Sequence, residues 1–189
     1  MSNKCELLRQ RIVAAADQLF YQQGYENTSF SDIANEVNIS RGNFYYHFKS
    51  KDDILNAVID KRLGDIENTL HEWEKNSPDP KNRILSYINM LHQNKESITK
   101  HGCPVGVMCT ELNKLNHLMH SDVSRLHLLF KNWLSKQFKE LGHKKDAQNL
   151  AMHLLSRAQG IASITSAFED KSFLKREIKT LTNWLENIS

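Results

Sequence analysis

Apolar positions recur at helical spacing along almost the whole chain. Leu8, Ile12, Ala15 and Leu19 repeat every three or four residues, with Ala16 and Phe20 beside them, and Gly24 stops that helix. Phe30 to Val37 predicts a short second helix, with Thr28 or Ser29 as its cap and Ile33, Ala34 and Val37 on its buried face. Asn38 and Ile39 make a tight connection. Ser40 suits the cap of a third short helix, Arg41 to Phe48. Ser50 caps a fourth that starts at Lys51, with Asp52 and Asp53 in its first turn, where the helix dipole favours acids. Ile59, Leu63, Ile66, Leu70 and Trp73 form one continuous stripe, which carries that helix to about Asn76.

Ser77-Pro78-Asp79-Pro80 is the clearest breaker in the chain. After it the pattern predicts helices near 80–98, 104–116, 120–141, 144–168 and 172–187, separated by Gly102, Gly142 and the stretch Asp170 to Ser172. No strand pattern or internal repeat intervenes. The expected fold class is therefore all-α with about nine helices.

Composition agrees and narrows the function classes. Hydrophobic residues make up 40% and charged residues 25% of 189 residues, with only 7 Gly and 3 Pro, which suits a helical globular chain of one domain or two small subdomains. No apolar run is long enough to span a bilayer, so no membrane partner is expected. The first residues, Met1 to Glu6, lack the apolar stretch of a secretory signal, and the expected location is cytoplasmic. Three cysteines without a CxxC pair argue against a disulfide framework or a cysteine-based zinc site. The net charge of +3 does not by itself imply nucleic acid. Its distribution says more. Between Ser40 and Lys51 stand Arg41, Lys49 and Lys51 with His47 and no acid, on and just after the predicted third helix. A second basic stretch, Ser121 to Lys145, reads as a solvated helix face.

Two short helices joined by a tight turn suit a helix-turn-helix, whose second helix offers side chains to the DNA major groove. Ala34 is small where the two helices would cross, and Ile33, Val37, Ile39, Phe44 and Phe48 would hold them together. The run Thr28-Ser29-Phe30-Ser31-Asp32-Ile33-Ala34, followed by Ile39-Ser40-Arg41-Gly42-Asn43-Phe44-Tyr45-Tyr46-His47-Phe48-Lys49-Ser50-Lys51, strongly resembles the DNA-binding region of TetR-type transcriptional regulators. The likeness covers about residues 8 to 55, and the remainder fits in helix number and length.

The resemblance implies a helix-turn-helix DNA-binding domain over 1–55 and a helical ligand-binding and dimerisation domain over 56–189. It implies a homodimer that reads a palindromic double-stranded operator and answers to a small molecule or electrophile. The residue chemistry runs in parallel. Arg41 can pair bidentately with guanine O6 and N7. Gly42 lets backbone approach a base, and Asn43 suits a base edge or a phosphate. Tyr45, Tyr46 and His47 fall where family members touch phosphates and the groove edge. Ser40 caps the reading helix. Lys51 with its helix N-terminus suits a phosphate, and Thr28 and Ser31 would anchor flanking backbone. Phe44 and Phe48 read as core. The three adjacent residues Tyr45, Tyr46 and His47 point in different directions, so not all are buried, although one tyrosine can pack on the fourth helix.

In the larger part, Leu150, Leu154, Ala158, Ile161, Thr165 and Phe168 form one face of the 144–168 helix. Phe173, Leu174, Ile178, Leu181, Trp184, Leu185 and Ile188 form one of the last helix. Either stripe serves as a dimer seam or as internal core. Cys103, between Gly102 and Pro104 and after Lys100 and His101, stands at a helix start. Helix N-termini and nearby cations favour thiolate. The Gly-Cys pair there resembles electrophile-responsive TetR-type repressors, which would make Cys103 a sensor; the other reading is a small packed residue. Trp73, Val107, Phe130 and Trp133, with Met90, Met108 and Gln159, are candidates to line a pocket or to fill core. His117, His120 and His127 lack a carboxylate or cysteine at matching helical spacing, so no metal is assigned, and no cofactor. Neither GxSxG, HExxH, a P-loop nor a glycine-rich dinucleotide motif is present, so no catalytic residue is named. An enzyme or an interaction module on the same scaffold stands as the alternative to a one-component repressor.

Overall fold

A computed structural model describes residues 3–115 and 117–188. Among them the chain forms ten α-helices. These are α1 (Asn3–Gln23), α2 (Phe30–Glu36), α3 (Arg41–His47), α4 (Lys51–Asn76), α5 (Pro80–Gln93), α6 (Lys95–His101), α7 (Pro104–Lys114), α8 (His120–Glu140), α9 (Ala147–Phe168) and α10 (Lys171–Ile188). The all-α expectation holds for the described residues. The extra helix comes from Asn94, which divides the stretch expected as one helix over 80–98. Its backbone N–H and its side-chain Nδ2 both donate to Met90 O (3.1 and 2.9 Å), which closes α5 one residue before α6 begins.

Local chemistry sets the helix ends. Asp79 caps α5 by accepting from Lys81 N–H at 3.0 Å, and Pro80 takes the first helical position, where a missing N–H costs nothing. Glu169 ends α9 in the left-handed region (φ 51°). Asp170 then accepts from Ser172 N–H and Phe173 N–H (2.8 and 2.9 Å) and starts α10. Hydrogen bonds hold its carboxyl below the usual range, the Ser172 hydroxyl contributing most.

The chain divides into two compact units, residues 1–65 with 108–124, and residues 66–107 with 125–189. The first unit is built on Ile12, Ala16, Phe20, Ile33, Phe44, Phe48, Ile54 and Leu55, all buried, and it includes buried Leu112 and Val123 from its second segment. In the second unit α10 packs on α5 and α9, and α6 on α9. Its core joins Ile84, Tyr87, Ile88, Leu134, Phe138, Leu154, Ala158, Leu181 and Leu185.

Burial decides which stripe of α9 faces inward. Leu154, Ala158, Ile161 and Thr165 are buried within the chain itself, whereas Phe168 is 75% exposed. The outward face of α9 is a different set: Met152, Ser156, Gly160, Ser163, Ile164, Ala167 and Phe168. Leu174, Leu181 and Leu185 of α10 are likewise internal core.

Candidate nucleic-acid interface

The reading head is assembled from short-range hydrogen bonds that its sequence dictates. Ser29 and Asp32 form a reciprocal capping box on α2. The Ser29 Oγ accepts from Asp32 N–H (3.2 Å), and Asp32 Oδ2 accepts from Ser29 N–H (2.7 Å). The Ser29 hydroxyl and amide hold the Asp32 carboxyl below its usual range. After α2 the chain turns through Asn38 at φ 56°, a conformation that asparagine tolerates better than most residues. Ile39 N–H then returns to Ala34 O (3.0 Å), and Ser40 Oγ accepts from Asn43 N–H (3.3 Å) to cap α3.

With α3 so placed, its apolar edge goes inward and the rest outward. Phe44 and Phe48 are 1% and 2% exposed. Arg41, Gly42, Asn43, Tyr45 and Tyr46 are exposed and His47 is half-buried. A methyl group added to Gly42 would meet no atom within 4 Å, so this glycine is open to any approaching surface. Both tyrosines lie on the outside (46% and 71% exposed), and neither is core. Tyr45 leans edge-on against Phe30 of α2 (centroids 5.4 Å apart), and Tyr46 against His47 (5.3 Å). Arg41 Nη2 donates to Ser31 Oγ at 2.8 Å, which brings α2 into the same exposed surface.

Two expected backbone anchors sit differently. Thr28 is buried (1% exposed), and its hydroxyl donates to Gly24 O at 2.7 Å, so it closes the turn before α2 and is not on the surface. Lys51 folds back on that turn. Its ammonium donates to Glu26 O (3.1 Å) and lies 4.4 Å from the Tyr25 ring centre. The start of α4 is capped reciprocally by Ser50 and Asp53. The Asp53 Oδ2 accepts from Lys49 and Ser50 N–H (3.2 and 2.9 Å), and Ser50 Oγ accepts from Asp53 N–H (3.0 Å).

The α1–α2 turn carries a network that sequence reading misses. Glu111 of α7 accepts from Tyr25 N–H and Glu26 N–H, each at 2.9 Å, through its two oxygens. Gly24 (φ +91°) makes room for it, since a Cβ there would lie 2.9 Å from Glu111 Oε1. Tyr25 Oη donates to Asp52 Oδ1 (2.6 Å), and the same oxygen lies 3.2 Å from His117 Nε2. His117 Nδ1 accepts from Met119 N–H (3.2 Å), which leaves Nε2 as the proton-bearing nitrogen of the neutral ring. Burial pushes the Tyr25 phenol up, the Asp52 bond adding to it, and that same bond is the main cause holding Asp52 low. The partners stand 27, 65 and 86 residues apart, so no periodicity marks them; the Gly24-Tyr25 pair is their local signal.

In the second unit the candidate effector residues fall into two neighbourhoods of one core. Trp73 packs on Trp133 (5.5 Å), whose indole N–H donates to Glu74 Oε1 (3.0 Å). That carboxylate also accepts from Lys136 and Gln137, and Lys136 chiefly holds it below the usual range. Elsewhere Gln159 Nε2 donates to Cys103 Sγ at 3.3 Å. Gly106 leaves space for that carboxamide, which a side chain there would strike. Phe130 meets Tyr87 edge-on (5.4 Å), and burial drives the Tyr87 phenol up, with the Cys103 sulfur adding to it. Met90 joins this core, Val107 lies beside Gly102, and Met108 belongs to the first unit. Among the described residues no cluster of three metal-ligating side chains occurs; the His120 side chain lies outside them. No described helix is long and apolar enough to cross a membrane.

Residues 12–58 match the family model described as bacterial regulatory proteins, tetR family. An uncharacterized HTH-type transcriptional regulator in the lacX 3'region of Lactococcus lactis subsp. lactis is 28% identical over 186 residues, which cover 95% of this chain and 94% of that protein. The HTH-type transcriptional repressor DhaR of Mycobacterium sp. (strain GP1) is 27% identical over 67% of this chain and 62% of its own length. Among solved structures, a TetR transcriptional regulator from Legionella pneumophila aligns with a TM-score of 0.81 and 25% identity, covering 99% of this chain and 97% of that one.

Proposed function

We propose that the chain is a transcriptional regulator of the tetR family rather than an enzyme, a repressor which binds a palindromic operator as a homodimer and leaves it when an effector binds; the match of residues 12–58 to that family's model supports this reading. Residues 1–55 read DNA, and residues 56–189 hold the effector and the dimer contact. The exposed run Arg41-Gly42-Asn43, on a helix whose buried edge is Phe44, carries this reading. Arg41 reads guanine, Asn43 a neighbouring base edge or phosphate, and Gly42 permits close approach. Tyr45, Tyr46 and His47 take phosphates and the groove edge, and Ser40 fixes the helix start. Lys51 supports the flanking strand from its place on the Tyr25 turn.

A dimer is needed because two half-sites roughly 34–36 Å apart require two reading heads. The outward face of α9, with Gly160 and Ser163 small enough for close approach and Met152, Ile164 and Phe168 apolar, supports a helix-to-helix seam. The effector is a small molecule, or a thiol-reactive compound that modifies Cys103. Support for the second is geometric: Gln159 Nε2 donates to the Cys103 sulfur at 3.3 Å and fixes it just before the start of α7. Either signal shifts a two-state dimer with a coupling of about 1–3 kcal/mol.

Fluorescence anisotropy on duplexes tiled across the region upstream of the gene, at fixed salt, tests the reading. Selective binding that Arg41→Ala relaxes, and that an electrophile abolishes in wild type but not in Cys103→Ser, is the expected result. Binding that Arg41→Ala leaves unchanged refutes the assignment of the reading helix. Loss of binding to the electrophile in both proteins removes Cys103 from sensing.

A further inference from the structure

One side-chain hydrogen bond ties α2 to the first residue of α3. That residue is Arg41, whose long side chain has several rotatable bonds to fix before it can read a base. Its Nη2 donates to Ser31 Oγ at 2.8 Å. Phe30, Phe44 and Tyr45, with Ala34, line the hollow of about 140 Å³ that Ser31 and Arg41 complete. Ser31 is not needed to build α2, because Ser29 is the cap and Asp32 its reciprocal partner.

We propose that Ser31 is a positioning residue for base recognition: it holds the Arg41 guanidinium at the edge of this aromatic hollow so that its remaining N–H groups face a guanine. This rests on Arg41 being a base reader, as set out above. The donor arithmetic permits it. A guanidinium has five N–H groups and Ser31 engages one of them, which leaves a pair for O6 and N7. The serine hydroxyl, while accepting from Arg41, keeps its own proton to give to the nucleic acid. Sequence discrimination by α3 is then set partly by a residue of α2 that makes no base contact itself.

The test uses the full-length protein and a duplex it has selected from a random pool, together with every single-base-pair variant of that duplex. Arg41→Ala is expected to reduce discrimination at one base pair of each half-site by roughly 5- to 150-fold. Ser31→Ala is expected to reduce discrimination at that same base pair by about two- to tenfold, the scale of one hydrogen bond. Ser31→Thr, which keeps the hydroxyl, restores it, and Ser31→Ala adds no further loss in the Arg41→Ala background. Equal weakening on every duplex by Ser31→Ala overturns the proposal and makes Ser31 a plain backbone contact. Unchanged discrimination in Ser31→Ala, with loss in Arg41→Ala, overturns the proposal and spares the reading of Arg41. Unchanged discrimination in Arg41→Ala removes both.

Discussion

Replacing Glu111 by glutamine removes one of two backbone bonds that hold the α1–α2 turn and puts an N–H₂ group against an N–H. The wild-type carboxylate accepts from Tyr25 and Glu26, each at 2.9 Å. Hydrogen bonds to a charged group contribute about 1.5–3 kcal/mol. The Tyr25 amide is partly buried and the Glu26 amide exposed, so solvent brings the loss to the bottom of that range or just below it, about 1–2 kcal/mol for the variant. That energy emerges as faster opening of the turn. Amide hydrogen exchange at Tyr25 and Glu26 should accelerate roughly five- to thirtyfold, while amides in α9 keep their wild-type rates. Gly24→Ala should act at least as strongly, because it combines φ +91° with a Cβ 2.9 Å from the same carboxylate. Wild-type exchange at both amides in Glu111→Gln would refute the idea that this carboxylate holds the turn.

Gly42→Ala should leave the free protein as stable or raise its stability by about 0.5–1 kcal/mol, since its methyl meets nothing within 4 Å; operator affinity measured by anisotropy should nonetheless fall, and unchanged affinity would mean that no DNA atom approaches there. Burial lowers the His127 pKa below its ordinary 6.5, the Gln159 bond opposing it. The stability linked to the neutral ring is thus complete above pH 6.5 and is lost as pH falls from there through the folded value. Thermal unfolding between about pH 7.5 and 5 should show this loss, and His127→Gln should reduce it. Ile164→Asp on the outward face of α9 should give a folded monomer by light scattering, with weakened operator binding; a dimer of unchanged mass would place the seam elsewhere. Tyr25→Phe removes the strongest cause of the low Asp52 pKa, so the Asp52 carboxyl should titrate closer to its ordinary 3.8 when followed by NMR.

Much of this is legible in the chain. Pro80, Gly102 and the Ser29, Ser40, Ser50 and Asp79 caps mark helix boundaries because each acts on its immediate neighbours. Phe44 and Phe48 declare the inner edge of α3, and the exposed remainder follows by elimination. Asn94 escapes a reading of periodicity because its backbone leaves the helical region (φ −98°, ψ 15°) and its Nδ2 caps Met90 O without altering the apolar pattern on either side. Thr28 misleads for a related reason. A threonine before a helix reads equally as an exposed cap or anchor, and its buried bond to Gly24 O depends on how the turn closes. The face of α9 is ambiguous because alanine and isoleucine occur on both sides of it, and periodicity does not rank two apolar stripes.

The larger gap concerns what holds the reading head. Its helices do not contain the side-chain acceptor for two amides of the α1–α2 turn; Glu111 supplies it from 85 and 86 residues away. His117, from the same distant segment, completes the environment of Asp52, and Leu112, Met119 and Val123 bury themselves in the same unit. The head is therefore a composite of residues 1–65 and 108–124 in energetic terms. Its two kinds of bond do different work. The Ser29–Asp32, Ser40–Asn43 and Ser50–Asp53 bonds each span three residues, so they fix where a helix starts and nothing beyond it. The direction in which α2 leaves α1 depends instead on the turn at Gly24 to Thr28. That turn is held by its own Thr28–Gly24 bond, by Lys51 on Glu26 O, and by the Glu111 carboxylate on the two amides. Strength of an N–H···O bond falls steeply with angle, so a carboxylate that accepts two successive amides fixes their orientation as well as their position. Short-range caps thus build the helices of the reading head, and a distant acid orients them.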